Sequence, residues 1–342
     1  MISDITLQTI SDAAHWDAAC LAHDAHVLQT FGWGELKQRF GWRAERVLWR
    51  DGETIHAGAQ LLYRSLAPGF TIAYLPRGPF GKPAAPLAPF FTALIQRVRA
   101  RGAFLLKLEP DWAQNDARVE ILRAARAAPT NETIQPPATI QLDLTADLDA
   151  ILARMKSKWR YNIRLAEKKE ISVRVGTRAD VPAFYELLRV TGARDHFAIH
   201  GLDYYRAAFN ALVARDYARL LIAEYETQPL AMLFVTAFGA QAIYLYGASG
   251  NAERQRMPNH ALHWAAIQWA KARGCANYDL WGIPANSAAQ VDSENLPTSL
   301  YQFKQGFGGT IVRYTGAWDF VFSAPKARFY QFARKLRAQG FG

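Results

Sequence analysis

Cysteine is scarce. Only Cys20 and Cys275, far apart, occur in 342 residues, which excludes a disulfide framework or a thiolate cluster of the usual spacing and fits a reducing compartment. No apolar run approaches the roughly 18 to 20 residues needed to span a bilayer. The opening MISDITLQTI carries Asp4 and no basic segment, so a secretion signal is not expected and a cytoplasmic protein is. Acids are also few, 30 against 40 Lys+Arg, giving a formal charge of +10. Such a field gathers polyanions, whether nucleic acid, phosphorylated metabolites or anionic lipid headgroups, but does not choose among them, and solubility alone is the competing explanation. What is plentiful is apolar side chain, 50% of the chain, which excludes disorder. The length suggests about two domains.

An internal repeat supports that division. The strand patterns AGAQLLYRSL and FTIAYLPRGPF lead through a Pro-rich loop to the helical PLAPFFTALIQRVRARG and the strand AFLLKLEP. Later PLAMLFVTAF and QAIYLYGAS precede the helical NHALHWAAIQWAKARG and the strand CANYDLWGI. Both helices end on Ala-Arg-Gly, at Gly102 and Gly274, where glycine readily takes the left-handed conformation that closes a helix. A strand pair feeding a helix that returns to another strand predicts an α/β (α+β) layered domain with a mixed sheet. The order resembles the GNAT acyltransferase fold, which implies two tandem GNAT-like domains. The expected boundaries are 1–145 with 310–342 for the first and 146–309 for the second, the terminal strand pattern TIVRYTGAWDFVFS and the helix after it packing back on the first.

The densest charge lies in RMKSKWRYNIRLAEKK, with Lys156, Lys158, Arg160 and Arg164 interleaved with Trp159 and Tyr161. Cations with stacking aromatics suit RNA; a solvated helix face with Trp159 turned inward is the alternative. GNAT proteins that use acetyl-CoA resemble one another in a Gly-rich turn that presents amides to pyrophosphate. Here the corresponding RQRMPNHAL has no glycine, and Pro258 removes an amide. Another acyl donor is indicated. His260 and His263 lack Cys or carboxylate companions and read as helix-face or core residues, not metal ligands. Asn259 reads as a helix N-cap, Ser249 lacks a nucleophile elbow, and Cys275 lies in an apolar strand.

Segments spread over nearly the whole chain resemble the FemABX family of non-ribosomal peptidyltransferases: FGWGELKQRFGW, LKLEPDW, KSKWRYNIRLAEKKEISV, RDHFAIHGLDYY, YLYGASG, YDLWGI and LYQFKQGFGG. The resemblance implies an enzyme that moves an amino acid from aminoacyl-tRNA, as co-substrate, to the stem-peptide amine of a UDP-linked or lipid-linked peptidoglycan precursor. It implies no metal or organic cofactor. The first domain would face the precursor, with peripheral contact at the inner membrane face, and the second the tRNA. No candidate exists for a long coiled-coil arm, because the helix at 150–170 runs into ISVRVG, so Lys156, Lys158, Arg160 and Arg164 are the expected tRNA contacts.

An amine attacking an aminoacyl ester builds an oxyanion that a preorganised cation stabilises. The resemblance assigns that role to Lys304, with Phe303 shaping the donor pocket. Glu109 is implied as an orienter or base for the acceptor amine, or as a loop cap, with Asp111 behind it. Lys37 is implied at the precursor diphosphate. The family's second cation aligns with His200, so Arg194 or a protonated His200 would substitute. Tyr204, Tyr244 and Tyr246 are candidates for the peptide groove or for the core. An acyl-CoA N-acyltransferase and a non-catalytic tRNA- or precursor-binding protein are the rival readings.

Overall fold

Both copies of the strand, strand, helix, strand unit are present in the computed structural model, which describes residues 6–81, 87–195, 197–283 and 298–338. Contacts divide the chain into Met1–Gln135 with Tyr314–Gly342, and Pro136–Arg313.

The first unit contains β1 (Thr6–Thr9), α1 (Ala13–Ala22), α2 (Phe31–Gln38), β2 (Arg43–Asp51), β3 (Thr54–Ala67), β4 (Phe70–Pro76), β5 (Phe80–Gly81), α3 (Leu87–Ala100), β6 (Ala103–Glu109), α4 (Val119–Ala124) and β7 (Ala128–Thr130), then β15 (Ala317–Val321) and α11 (Ala324–Ala338). Its sheet runs β1-β2-β3-β4-β6-β15-β7, with β5 beside β3. The second unit contains β8 (Ala138–Asp143), α5 (Leu148–Arg154), α6 (Ser157–Lys168), β9 (Ser172–Val175), α7 (Val181–Asp195), α8 (Leu202–Ala208), β10 (Ala218–Tyr225), β11 (Gln228–Phe238), β12 (Gln241–Ser249), α9 (Pro258–Ala272), β13 (Asn277–Gly282), α10 (Thr298–Gln305) and β14 (Thr310–Arg313). Its sheet runs β14-β8-β13-β12-β11-β10-β9.

The two sheets repeat one local order. A hairpin (β3–β4, β11–β12) is followed by a helical crossover to a parallel strand, β4 to β6 through α3 and β12 to β13 through α9. Gly102 and Gly274 sit at φ +78° and +80°, which ends α3 and α9 as their sequence predicts. Beyond the parallel strand each sheet takes an antiparallel one, β15 against β6 and β8 against β13. These two strands are exchanged along the chain. β8 follows β7 directly yet completes the second sheet, whereas β15 follows β14 of the second sheet and completes the first. Residues 136–145, expected before the boundary, therefore belong to the second unit through β8. The terminal pattern expected to return whole is split, β14 pairing with β8 and β15 with β6.

Alternation decides which face each strand buries. Leu233, Val235 and Ala237 of β11 pack with Leu262, Ala266, Ile267 and Ala270 of α9, while Leu106 and Leu108 of β6 pack with Phe90, Phe91 and Leu94 of α3. In the second sheet β12 and β13 pair only over Gln241–Ile243 and Asn277–Asp279, although β12 continues to Ser249. The site begins where their pairing stops.

Candidate functional site

Lys304 lies on the inward face of α10 and is 4% exposed. Its ammonium donates to the carbonyls of Gly282 at 2.7 Å and Trp281 at 3.3 Å, and stands 5.5 Å from the centroid of the Tyr244 ring. Burial penalises the charged form and brings the ammonium down to about 8, with the Asp279 carboxylate pulling the other way. The carbonyls face the lysine because the strand turns there. Trp281 adopts φ +61°, and the β8–β13 register breaks between Asp279 and Gly282. Asp279 holds the turn, accepting from Trp281 N at 2.6 Å, from Gln141 Nε2 at 3.2 Å and from the Thr139 hydroxyl.

The three glycines after Lys304 are explained by close approach. A Cβ on Gly306 would lie 2.1 Å from the Trp159 ring, on Gly308 2.3 Å from Arg154 O, and on Gly309 2.6 Å from Gln141 O. Gly306 O also accepts Lys156 N at 2.9 Å. The Phe303 ring meets His260, His263 and Phe307 at centroid distances of 5.3, 5.4 and 5.2 Å, and Phe303 O accepts the Trp159 indole N–H at 3.0 Å. His263 pairs with the Tyr278 hydroxyl at 3.2 Å and meets the Tyr244 ring edge-on at 4.6 Å. Burial, and then the Lys304 charge, lower His263 to about 3; burial, and then Lys158, lower His260 to about 4. Both imidazoles are therefore neutral near pH 7. His260 shares a hydrogen bond with Asn162 at 3.1 Å. The core reading of these histidines is correct, yet they also wall the aromatic surroundings of Phe303.

Tyr244 and Tyr246 do not share a face. Phe234 pairs with Tyr246 and Val235 with Tyr244, so Leu245 is an extra residue that turns the two rings apart. Tyr244 joins the α9 side with Lys304 and His263. Tyr246 joins Tyr204, its hydroxyl 3.2 Å from that of Tyr204, with Phe234 and Tyr205 around it. His200 is exposed and stacks on Tyr204 at 3.8 Å. Arg194 forms an ion pair with Asp195 at 2.8 Å and donates to Ser249 O and Asn251 Oδ1. A single groove lined by Tyr204, Tyr244 and Tyr246 is thus replaced by two clusters, a bulge that alternation alone does not announce.

In the first unit Glu109 is buried at the end of β6, its carboxylate accepting from Ile134 N at 2.6 Å, Gln135 N at 3.1 Å and the Tyr74 hydroxyl. This is the geometry of a loop anchor. Asp111 is half-buried two residues on. Lys37 lies in the last turn of α2 with its ammonium 4.6 Å from the Trp33 ring centroid, and burial brings it down to about 8.

On α6, Asn162, Ile163 and Ala166 turn inward, leaving Lys158, Tyr161 and Arg164 exposed, Tyr161 by 61%. Trp159 is turned in, as the solvated-face alternative requires. Lys156 donates to Gln305 at 3.1 Å, and Arg160 donates to Met155 O at 2.6 Å. The expected helix at 150–170 is two helices broken at Met155–Lys156, where Lys156 N bonds Gly306 O. At α9, Pro258 is the first helical residue and Met257 the cap, at φ +60°; Asn259 is already inside the helix and is not its N-cap. The N-terminus of α9 therefore has no side-chain cap. Among the described residues no group of three or more His, Cys, Asp or Glu is arranged to hold a metal, and no helix is long and apolar enough to cross a membrane.

Sequence reasoning missed Asp279, the Trp281 turn and His263 as neighbours of Lys304. An acid in an apolar strand two residues before a Trp-Gly pair was their only sequence signal.

A family model described as the FemAB family matches residues 21–128, 124–226 and 213–335. The lipid II:glycine glycyltransferase of Staphylococcus saprophyticus is 24% identical, covering 96% of this chain and 95% of that one; its Staphylococcus haemolyticus counterpart is 23% identical, covering 94% and 93%. Among solved structures, FemX superposes with a TM-score of 0.84 at 20% identity over 96% of this chain and 99% of that one. A tandem GNAT protein of clavulanic acid biosynthesis superposes at 0.54 with 14% identity, covering 93% and 99%. At these identities the structural likenesses carry the fold, a tandem GNAT-like mixed α/β architecture.

Proposed function

The chain belongs to the FemAB family, and from that premise we propose that it is an aminoacyltransferase that extends the stem peptide of a peptidoglycan precursor, taking the amino acid from aminoacyl-tRNA. The relatives named lipid II:glycine glycyltransferase, matched over nearly their whole length, support the acceptor class. The absence of glycine from the RQRM stretch that leads into α9, together with Pro258 at the first helical position, supports a donor other than acyl-CoA.

The observation that carries the reading is the Lys304 ammonium, fixed by two backbone carbonyls and one aromatic face inside apolar surroundings. In the reaction the acceptor amine attacks the ester carbonyl, a C–N bond forms and the carbonyl oxygen gains negative charge. A cation held in place beforehand stabilises that oxygen without reorganising, and low polarity strengthens the attraction. The C–O bond to the tRNA ribose then breaks; the amine loses a proton and the ribose hydroxyl gains one. Phe303, with His260 and His263 behind it, suits a planar terminal adenosine. Lys158 and Arg164 on α6 suit the phosphates of the acceptor arm. In the first unit Lys37 serves the precursor's diphosphate, and Glu109 positions the 134–135 segment.

The test offers the purified chain a panel of radiolabelled aminoacyl-tRNAs with nucleotide-linked and lipid-linked precursors, and reads the product by mass. Extension of the peptide is expected from at least one aminoacyl-tRNA, and its loss in a folded Lys304→Met variant. Thermal stabilisation by CoA without any transfer from charged tRNA would overturn the reading.

A further inference from the structure

The C-terminal helix of the first unit presents aromatic side chains to solvent. In α11, Ala327 and Tyr330 turn inward onto Phe104, Leu105, Phe70 and Ile72. Phe329 and Phe332 are left 61% and 60% exposed, the most exposed phenylalanines among the described residues. Their i, i+3 spacing puts both rings on one stripe. The helix carries no acid between Ala324 and Ala338, and Arg328 beside the stripe is exposed. The tip of the β3–β4 hairpin is tied to this helix. Lys326 donates to Gly69 O at 2.7 Å, Phe70 lies 5.8 Å from Phe329 between ring centroids, and Leu66 in the same hairpin is 44% exposed with Arg64 exposed beside it.

We propose that this outer face of α11, with the β3–β4 tip, is a docking surface for an anionic phospholipid bilayer. Exposed Phe and Leu side chains flanked by Arg and Lys match an interface where apolar groups enter the acyl boundary and cations meet phosphate headgroups. The formal charge of +10 favours the same partner at longer range. A folded protein partner is less well matched, since α11 itself has no acid to order an opposing basic rim and the Glu132 carboxylate beside it is already paired with Arg334. The surface accounts for how a chain without a described spanning helix reaches an acceptor carried in a membrane. The docking itself does not depend on the transfer reading, because it is measured without turnover.

The experiment is co-sedimentation of the full chain with vesicles of phosphatidylglycerol and phosphatidylcholine, and with phosphatidylcholine alone. Binding is expected to the anionic vesicles and to weaken as salt rises. The F329S/F332S variant is expected to lose it by about 10-fold or more, the equivalent of withdrawing at least one buried phenylalanine. A second variant, Phe332→Trp, keeps an apolar group and guards against misfolding. Its emission, less that of the ten native tryptophans measured on the wild type, is expected to shift to the blue on anionic vesicles. No binding of the wild-type chain, equal binding by F329S/F332S, or emission from the Phe332→Trp variant that does not shift on vesicles it binds would each overturn the proposal. Loss of tRNA binding but not vesicle binding in F329S/F332S would also overturn it, and would reassign the face to RNA.

Discussion

Asp279 and Lys304 act on one turn from opposite sides: the carboxylate accepts Trp281 N while the ammonium donates to the carbonyls of Trp281 and Gly282. The turn is the shared element, and each charge depends on it.

The Lys304 ammonium, held near 8 against an ordinary 10.5, sets a pH window. The unfolded chain binds a proton here up to about 10.5, whereas the native chain releases it near 8. The penalty on stability is therefore fully present below about pH 8 and is relieved as pH rises toward 10.5. Lys304→Met should abolish that rise, read as urea unfolding free energy at pH 7.5 and 10. The wild type should gain a few kcal/mol relative to the variant over the window, at about 1.4 kcal/mol per unit. Transfer activity should fall above pH 8 as the cation is lost. Asp279→Asn removes the charge that favours protonation, so the activity limb should move to lower pH; an unmoved limb would separate Asp279 from Lys304.

His260 and His263 are held neutral, near 4 and 3, by burial first. Between those values and the ordinary 6.5 the unfolded chain binds more protons than the native one, so stability declines as pH falls from 6.5. His263→Gln should flatten part of that decline. Chemical denaturation at pH 7, 5.5 and 4.5 reads the slope, and the wild type should lose about 1 kcal/mol or more per pH unit relative to the variant within the window.

Gly247 gives Tyr244 its place. A Cβ there would stand 1.8 Å from the Tyr244 hydroxyl. Gly247→Ala should swing that ring away from Lys304, lowering kcat by about 10-fold or more while costing stability only about 1–3 kcal/mol. Thermal unfolding beside single-turnover rates separates the two effects. Unchanged turnover would show that the ring does not matter to the lysine.

Lys158→Glu and Arg164→Glu should weaken tRNA binding and reduce the steepness of its salt dependence by roughly one for each phosphate left unneutralised. Filter binding from 50 to 200 mM salt measures it. A slope unchanged in both would leave α6 as a solvated face.

Much of this was readable from residue order. The two hairpin-helix-strand units, the glycines that end α3 and α9, and a buried lysine before three crowded glycines all follow from local chemistry. The unread parts depend on long-range pairing. One extra residue at Leu245 sends Tyr244 and Tyr246 to different faces, and only the partner strand reveals the extra count. The Trp281 turn arises because Asp279, Thr139 and Gln141 meet across β8 and β13. Trp159 belongs inside because Gly306, far along the chain, leaves room for its ring. Asn259 was outcompeted as a cap by Pro258, whose fixed φ suits the first helical position.

The exchange of β8 and β15 sets an order of events during synthesis. When the ribosome has released only residues up to 313, β6 still lacks the neighbour that β15 supplies, and its unpaired amides and carbonyls are a template for a foreign strand. The segment after residue 313 is thus the one that seals the first unit, so synthesis halted before β15 would yield a sticky polypeptide and not merely a shortened one.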